Sequence, residues 1–307
     1  MDVLAALGKL VPVVLAFGTG AVFARREVIP ASSATVFTDF AFLFAIPSYL
    51  FGRIYLSDLG HLFDVRAISG YATGMALCVV LVAAVVRGDP KVRALRVMAA
   101  VQVNTAYFAV PVFVMLFGDA APIFPILLLQ VCLLSTAILA TMEFGGVGST
   151  TRKLARAVWA SLNTPVVLAC NLGIALNLLS VRVPGPLLDG LDFVGAAAAP
   201  VALFALGLYL GGAGLSLRGT SRVELSLILF KCLAFPLITL AICRYLFGVT
   251  GDWLKYLVLL AAMPSPQNLF VFAQRYEVEV DLAASVVVKS SLLALLLLPL
   301  WVQWATL

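Results

Sequence analysis

The sequence predicts an all-α membrane protein: ten transmembrane helices in two inverted five-helix repeats, with the fourth and ninth helices broken. Three observations carry this. The 307 residues are 63% hydrophobic and only 11% charged, where soluble domains carry about 25% charged residues. The second half of the chain repeats the first at a fixed spacing. Two of the apolar stretches are interrupted by proline beside polar side chains.

Ten apolar segments follow one another near 3–24, 31–56, 65–87, 94–117, 121–143, 158–180, 184–213, 222–247, 253–276 and 281–304. Most run for about 20 residues without alternation, the signature of a spanning helix rather than a barrel strand. The loops are short and hold most of the charge. A net charge of +5 spread over such loops speaks to topology and not to nucleic acid. Most loop Arg and Lys, including Arg25, Arg26, Arg93 and Arg275, fall on the side opposite the termini. Both termini are therefore expected outside. Asp2 precedes the first apolar run and no basic region does, so that run is read as a helix and not a cleaved signal. The five cysteines lie in apolar segments without metal spacing and read as small buried hydrophobes.

The repeat needs no gaps. Pro12-Val13-Val14-Leu15-Ala16 recurs as Pro165-Val166-Val167-Leu168-Ala169, Gly20 matches Gly173, and Asp39-Phe40 matches Asp192-Phe193. Pro111 matches Pro264 at the same spacing (264 − 111 = 153). The expected organisation is a first five-helix repeat over 1–143, a cytoplasmic linker over 144–157 and a second repeat over 158–307. Five is odd, so the second repeat enters the membrane from the opposite side. Inverted repeats of this kind build many secondary transporters.

The interruptions are the candidate site. In the fourth segment Asn104, Thr105 and Tyr107 precede Pro111; in the ninth, Pro264, Ser265, Pro266, Gln267 and Asn268 are consecutive. Proline removes a backbone donor, and in hydrocarbon every freed group needs a partner inside the protein. Two interrupted helices at matching places in inverted halves would meet at mid-membrane. Their half-helix N-termini, with side-chain amides, suit a carboxylate. The plainer alternative is that proline only kinks each helix.

Lys9, Lys231 and Lys289 fall inside apolar segments. Lys289 reads either as a charge facing an anionic substrate or as a strut paired with a buried acid such as Asp39. Asp39 is in turn an ion-coupling candidate, or an acid favoured by a helix start. His61 is the only histidine, and no metalloprotease motif or glycine-rich nucleotide loop occurs, so enzyme and ATP-driven readings have no catalytic set. No metal or cofactor is expected. A channel or receptor is the other class the composition allows.

Asn104-Thr105-x-x-x-Ala109-x-Pro111 resembles the fourth-helix pattern of the auxin efflux carrier (PIN-like) family. Ala262-Met263-Pro264, Phe270-Val271-Phe272-Ala273-x-x-Tyr276-x-Val278 and Ala283-Ala284-Ser285-Val286-Val287 through Leu298-Pro299-Leu300 resemble its ninth and tenth helices. The resemblance implies helices four and nine crossing at their prolines. It implies alternating access and a small organic anion, auxin-like or malate- or malonate-like, beside the crossover. Ala109 stands where the family usually has Gly, and Lys289 where it has a small or hydroxyl residue. The short linker resembles bacterial members, which implies a multi-pass protein of a bacterial inner membrane; the reading admits a homodimer. A sodium-coupled organic-anion symporter of the bile-acid type is the alternative.

Overall fold

The structure is a computed structural model, and it describes residues 11–143, 162–212 and 219–306, together with Gly8 and Trp159. The predicted linker 144–157, like Lys9, lies outside the described residues. Among those described, all regular structure is helical. Twelve helices organise it: α1 (Val11–Arg25), α2 (Ala31–Leu56), α3 (Leu59–Val85), α4 (Pro90–Val101), α5 (Tyr107–Phe117), α6 (Ala121–Met142), α7 (Pro165–Leu178), α8 (Gly185–Gly212), α9 (Arg222–Leu246), α10 (Gly251–Ala261), α11 (Asn268–Tyr276) and α12 (Val280–Trp304). Six of them, α2, α3, α6, α8, α9 and α12, are long and apolar enough to cross a membrane. These six fall on the second, third, fifth, seventh, eighth and tenth predicted segments. The described helices α1 and α7 are shorter, and the fourth and ninth segments are each divided, into α4 with α5 and α10 with α11. Large apolar side chains such as Leu15, Val80, Leu172, Phe193 and Leu296 stay exposed, as a lipid-facing surface requires.

Local chemistry sets the helix ends. The Asp64 carboxylate accepts from Ala67 N–H and starts the main run of α3. Asp89 accepts from Val92 N–H with Pro90 at the first helical position of α4. Ser221 and Glu224 close a reciprocal capping box on α9. Gly118, at φ 74°, ends α5 in the left-handed conformation that costs glycine least.

Proline leaves a repeated mark inside the helices. The wide π turns Ala41–Ala45, Thr105–Ala109 and Phe230–Ala234 are each followed, two residues on, by Pro47, Pro111 and Pro236. A proline ring offers no N–H and crowds the carbonyl four residues back. Widening the preceding turn removes the conflict while the helix continues. Pro111 is thus accommodated within a continuing helix, and the interruption predicted around it lies upstream, at Gln102–Asn104.

The chain divides into two compact units that each draw on both halves of the sequence. The first holds the described residues of Met1–Phe63, Ala106–Phe124 and Leu162–Leu215. Here α1 lies against α8 along a glycine seam. A Cβ on Gly20 would overlap the Phe204 carbonyl oxygen, and one on Gly207 would overlap that of Phe17. Without a hydrophobic drive between helices in lipid, such close backbone approach supplies the packing. In the same unit α7 lies against α2, where a Cβ on Gly173 would stand 3.0 Å from the Phe51 carbonyl oxygen. The spacing of 153 residues that relates Gly20 to Gly173 also relates Phe51 to Phe204 (204 − 51 = 153). Gly207→Ala is expected to lower the thermal midpoint of the purified protein by several degrees, because both overlapping groups are backbone. Gly52→Ala, with open space around its Cβ, is the control that leaves the midpoint unchanged.

The second unit holds the described residues of Asp64–Thr105, Pro125–Ser161 and Ser216–Leu307. Its core includes Tyr71, Met98, Phe235, Leu257 and Val286, all buried. Both backbone interruptions lie in it.

Candidate functional site

The helical ladder is cut at two places. Gln102–Asn104 separate α4 from the turn that enters α5, and Pro264–Pro266 lie between α10 and α11. The bond a continuous helix would make from Val103 N–H to the Ala99 carbonyl is absent, as is the one from Ser265 N–H to the Ala261 carbonyl. The two cut bonds are related by a single shift (265 − 103 = 162; 261 − 99 = 162).

Each of the four orphaned groups finds a new partner within the second unit. Val103 N–H donates to Gln130 Oε1 at 3.0 Å, and Gln130 Nε2 donates to the Tyr71 hydroxyl at 2.9 Å. Ser265 N–H donates to Ser290 Oγ at 3.2 Å. The Ala99 carbonyl accepts from Ser265 Oγ at 2.6 Å, and the Ala261 carbonyl accepts from Lys231 Nζ at 2.9 Å. Asn104 N–H donates to the Pro264 carbonyl at 2.9 Å, so the two interruptions are joined directly, backbone to backbone. Pro264 has no N–H for the Leu260 carbonyl, which accepts instead from Met263 N–H at 3.1 Å. In a low-dielectric interior each group left unanswered would cost about 1–3 kcal/mol, so these exchanges are what allow the chain to unwind there.

The predicted site residues separate by unit. Asn104, Thr105, Pro264, Ser265, Pro266, Gln267, Asn268 and Lys289 are in the second unit, whereas Asp39, Tyr107 and Pro111 are in the first. Asn104, Pro264, Ser265 and Pro266 are buried. Thr105 turns its hydroxyl back to the Val103 carbonyl at 3.3 Å. Gln267 is half-buried and Asn268, the first residue of α11, is exposed. The backbone amides and side-chain amides of these two take no partner among the described residues, while the next two amides are used by Pro266 and Gln267 carbonyls. The start of α11 therefore presents open donors beside the joined interruptions, at the positive end of a helix dipole.

Lys289 is paired: its ammonium lies 2.8 Å from Glu224 Oε1 and 3.0 Å from Thr220 Oγ1. The acid beside it is Glu224, where the sequence had suggested Asp39. Ser285 Oγ also donates to Glu224. In the first unit, the Tyr107 ring meets that of Phe42, one helical turn from the exposed Asp39. Asp192, the counterpart of Asp39 in the repeat, pairs loosely with Arg53 at 3.5 Å.

Gln130, Ser290 and the true use of Lys231 were not foreseen. The signal was present in each case: one polar residue inside an otherwise apolar segment has to answer a polar group somewhere. Gln102 adds to the set, donating to Ser135 Oγ at 2.9 Å. No cluster of metal-ligating side chains exists among the described residues.

Among the described residues this all-helical, apolar chain gathers buried main-chain groups, amides, hydroxyls and a lysine at interrupted helices, as membrane transporters do. The comparison with known families agrees: the membrane transport protein family, that of the auxin efflux carriers, matches residues 5–302, and the chain belongs to it. A proposed malonate transporter of Rhizobium meliloti (strain 1021) is 32% identical over 133 residues, 42% of this chain and 40% of that protein. An uncharacterized transporter of Methanothermobacter thermautotrophicus is 29% identical over 270 residues, 84% of each chain. Auxin efflux carrier component 5 of Arabidopsis thaliana is 31% identical over 144 residues, 45% of this chain and 40% of the plant protein. The matches to the malonate and auxin proteins thus span about two fifths of those relatives.

Proposed function

We propose that the chain is a secondary transporter that moves a small organic anion across the membrane by alternating access, with ten spans in two inverted repeats. The carrying observation is the joined pair of interruptions, Asn104 N–H to the Pro264 carbonyl, with open amides at Gln267 and Asn268 beside it. Unwound, internally satisfied backbone at mid-span is the construction that secondary transporters use for their binding sites. The exchanged glycine contacts, Gly20 on Phe204 and Gly173 on Phe51, support the repeat.

The substrate carboxylate is held by the Gln267 and Asn268 amides at the start of α11, with Asn104 and Thr105 lining the same crossover. Lys289 stays with Glu224 as a strut. Small carboxylic acids of the malonate or auxin type are the substrate class, a reading supported by the names of two partial relatives. Both termini face outward, in a bacterial inner membrane.

The test is uptake of labelled malonate and of monocarboxylates into proteoliposomes holding the purified protein. Saturable uptake accelerated by substrate on the opposite side is the expected result; unsaturable conductance would overturn the carrier mechanism. Asn268→Ala is expected to lower uptake roughly tenfold, since a hydrogen bond to a charged group is worth about 1.5–3 kcal/mol. The thermal midpoint should stay unchanged, because Asn268 is exposed and makes no side-chain bond in the described structure. Unaltered uptake by this variant would remove the residue from the site.

A further inference from the structure

Lys231 is fully buried, with none of its surface exposed, in the wide turn Phe230–Ala234 of α9. Among the described residues its Nζ has no carboxylate within ion-pair distance. It has instead the Ala261 carbonyl at 2.9 Å and the face of the Phe235 ring, 4.6 Å from the ring centre. Ala261 is the last helical residue of α10. Its carbonyl is at the negative end of that half-helix dipole, orphaned by the interruption. A buried ammonium without an acid is costly unless dipoles answer it. Here a carbonyl end and an aromatic face do so.

The partner interruption shows why a lysine is used. At the end of α4 the equivalent carbonyl, Ala99, is capped by the Ser265 hydroxyl. By the same shift of 162 the counterpart of Ser265 is Val103 (265 − 162 = 103), and a valine side chain has nothing to donate. A charge from a neighbouring helix fills the vacancy. The carboxyl ends of interrupted membrane helices are also where ion-coupled carriers hold a small cation.

We propose that Lys231 is a tethered cation: its ammonium holds the carboxyl end of α10 in place of a diffusible monovalent metal ion, so the second interruption stays folded without bound sodium. The role is one of positioning. It fixes the Pro264–Pro266 segment from which α11 starts, and it does not depend on which substrate is carried.

The experiment uses the purified full chain in detergent and needs no substrate, so it stands or falls apart from the transport reading. Thermal midpoints of the wild type are compared in sodium chloride and in N-methyl-D-glucamine chloride at equal ionic strength. Equal midpoints are expected; a higher midpoint in sodium overturns the proposal. Lys231→Gln and Lys231→Met then separate charge from donor. Glutamine keeps an N–H donor and loses the charge. If charge is what the carbonyl end requires, both variants fall by a similar ~5 °C. A glutamine variant as stable as the wild type overturns the proposal. Should neither variant fold, the wild-type sodium comparison still decides.

Discussion

Replacing Lys289 by Met is expected to destabilise the protein by about 3–5 kcal/mol, because it strands a buried carboxylate. The Glu224 and Lys289 side chains are only 7% and 12% exposed. Glu224 also accepts from Ser285 Oγ and closes the capping box at the start of α9, so it cannot turn away to water. The pair therefore ties that helix start to the middle of α12. The check is the thermal midpoint of Lys289→Met beside Glu224→Gln/Lys289→Met. Glutamine keeps the capping geometry without the charge, and the double variant should recover most of the loss. A single variant of wild-type stability would mean that the ion pair holds nothing together.

Gln130→Leu has the second largest expected effect. One side-chain amide serves two buried groups: its oxygen takes the Val103 N–H and its nitrogen serves the Tyr71 hydroxyl. Leucine of similar size removes both bonds and replaces neither, at about 1–3 kcal/mol for each group left unanswered. The loss should be local as well as global. Deuterium uptake by the peptide covering 99–105 should rise well above wild type, whereas the glycine seam of α1 and α8 should keep its protection. Uptake unchanged at 99–105 would show that the interruption does not lean on Gln130.

The spans were legible because hydrocarbon imposes one rule on every residue it touches. Uninterrupted apolar runs such as 31–56 and 281–304 gave α2 and α12 closely. The interruptions were legible in outline, from prolines and amides inside apolar runs. Their positions were not. Pro111 looked like the break because proline cannot donate, yet a widened turn absorbs it and the ladder opens at Gln102–Asn104. The apparent match of Pro111 with Pro264 thus compared a tolerated proline with an interrupting one. The glycine contacts follow a shift of 153 and the cut bonds a shift of 162, nine residues more (162 − 153 = 9). Partners of the freed groups were beyond reach, since Gln130, Lys231 and Ser290 come from other helices, 25 to 30 residues away along the chain. Spacing along one helix says nothing of what stands opposite.

The widened turns ahead of Pro47, Pro111 and Pro236 carry a geometric consequence. Each admits one extra residue into its coil, and one residue is worth about 100° of rotation. The stretch Phe235–Ala241 of α9, ahead of a second wide turn at Ile242–Leu246, thus points about a quarter-turn away from where an ideal spiral would aim it. A redesign that trades the proline for a regular helix former and tightens the coil would swing that stretch, Thr239 included, onto new neighbours.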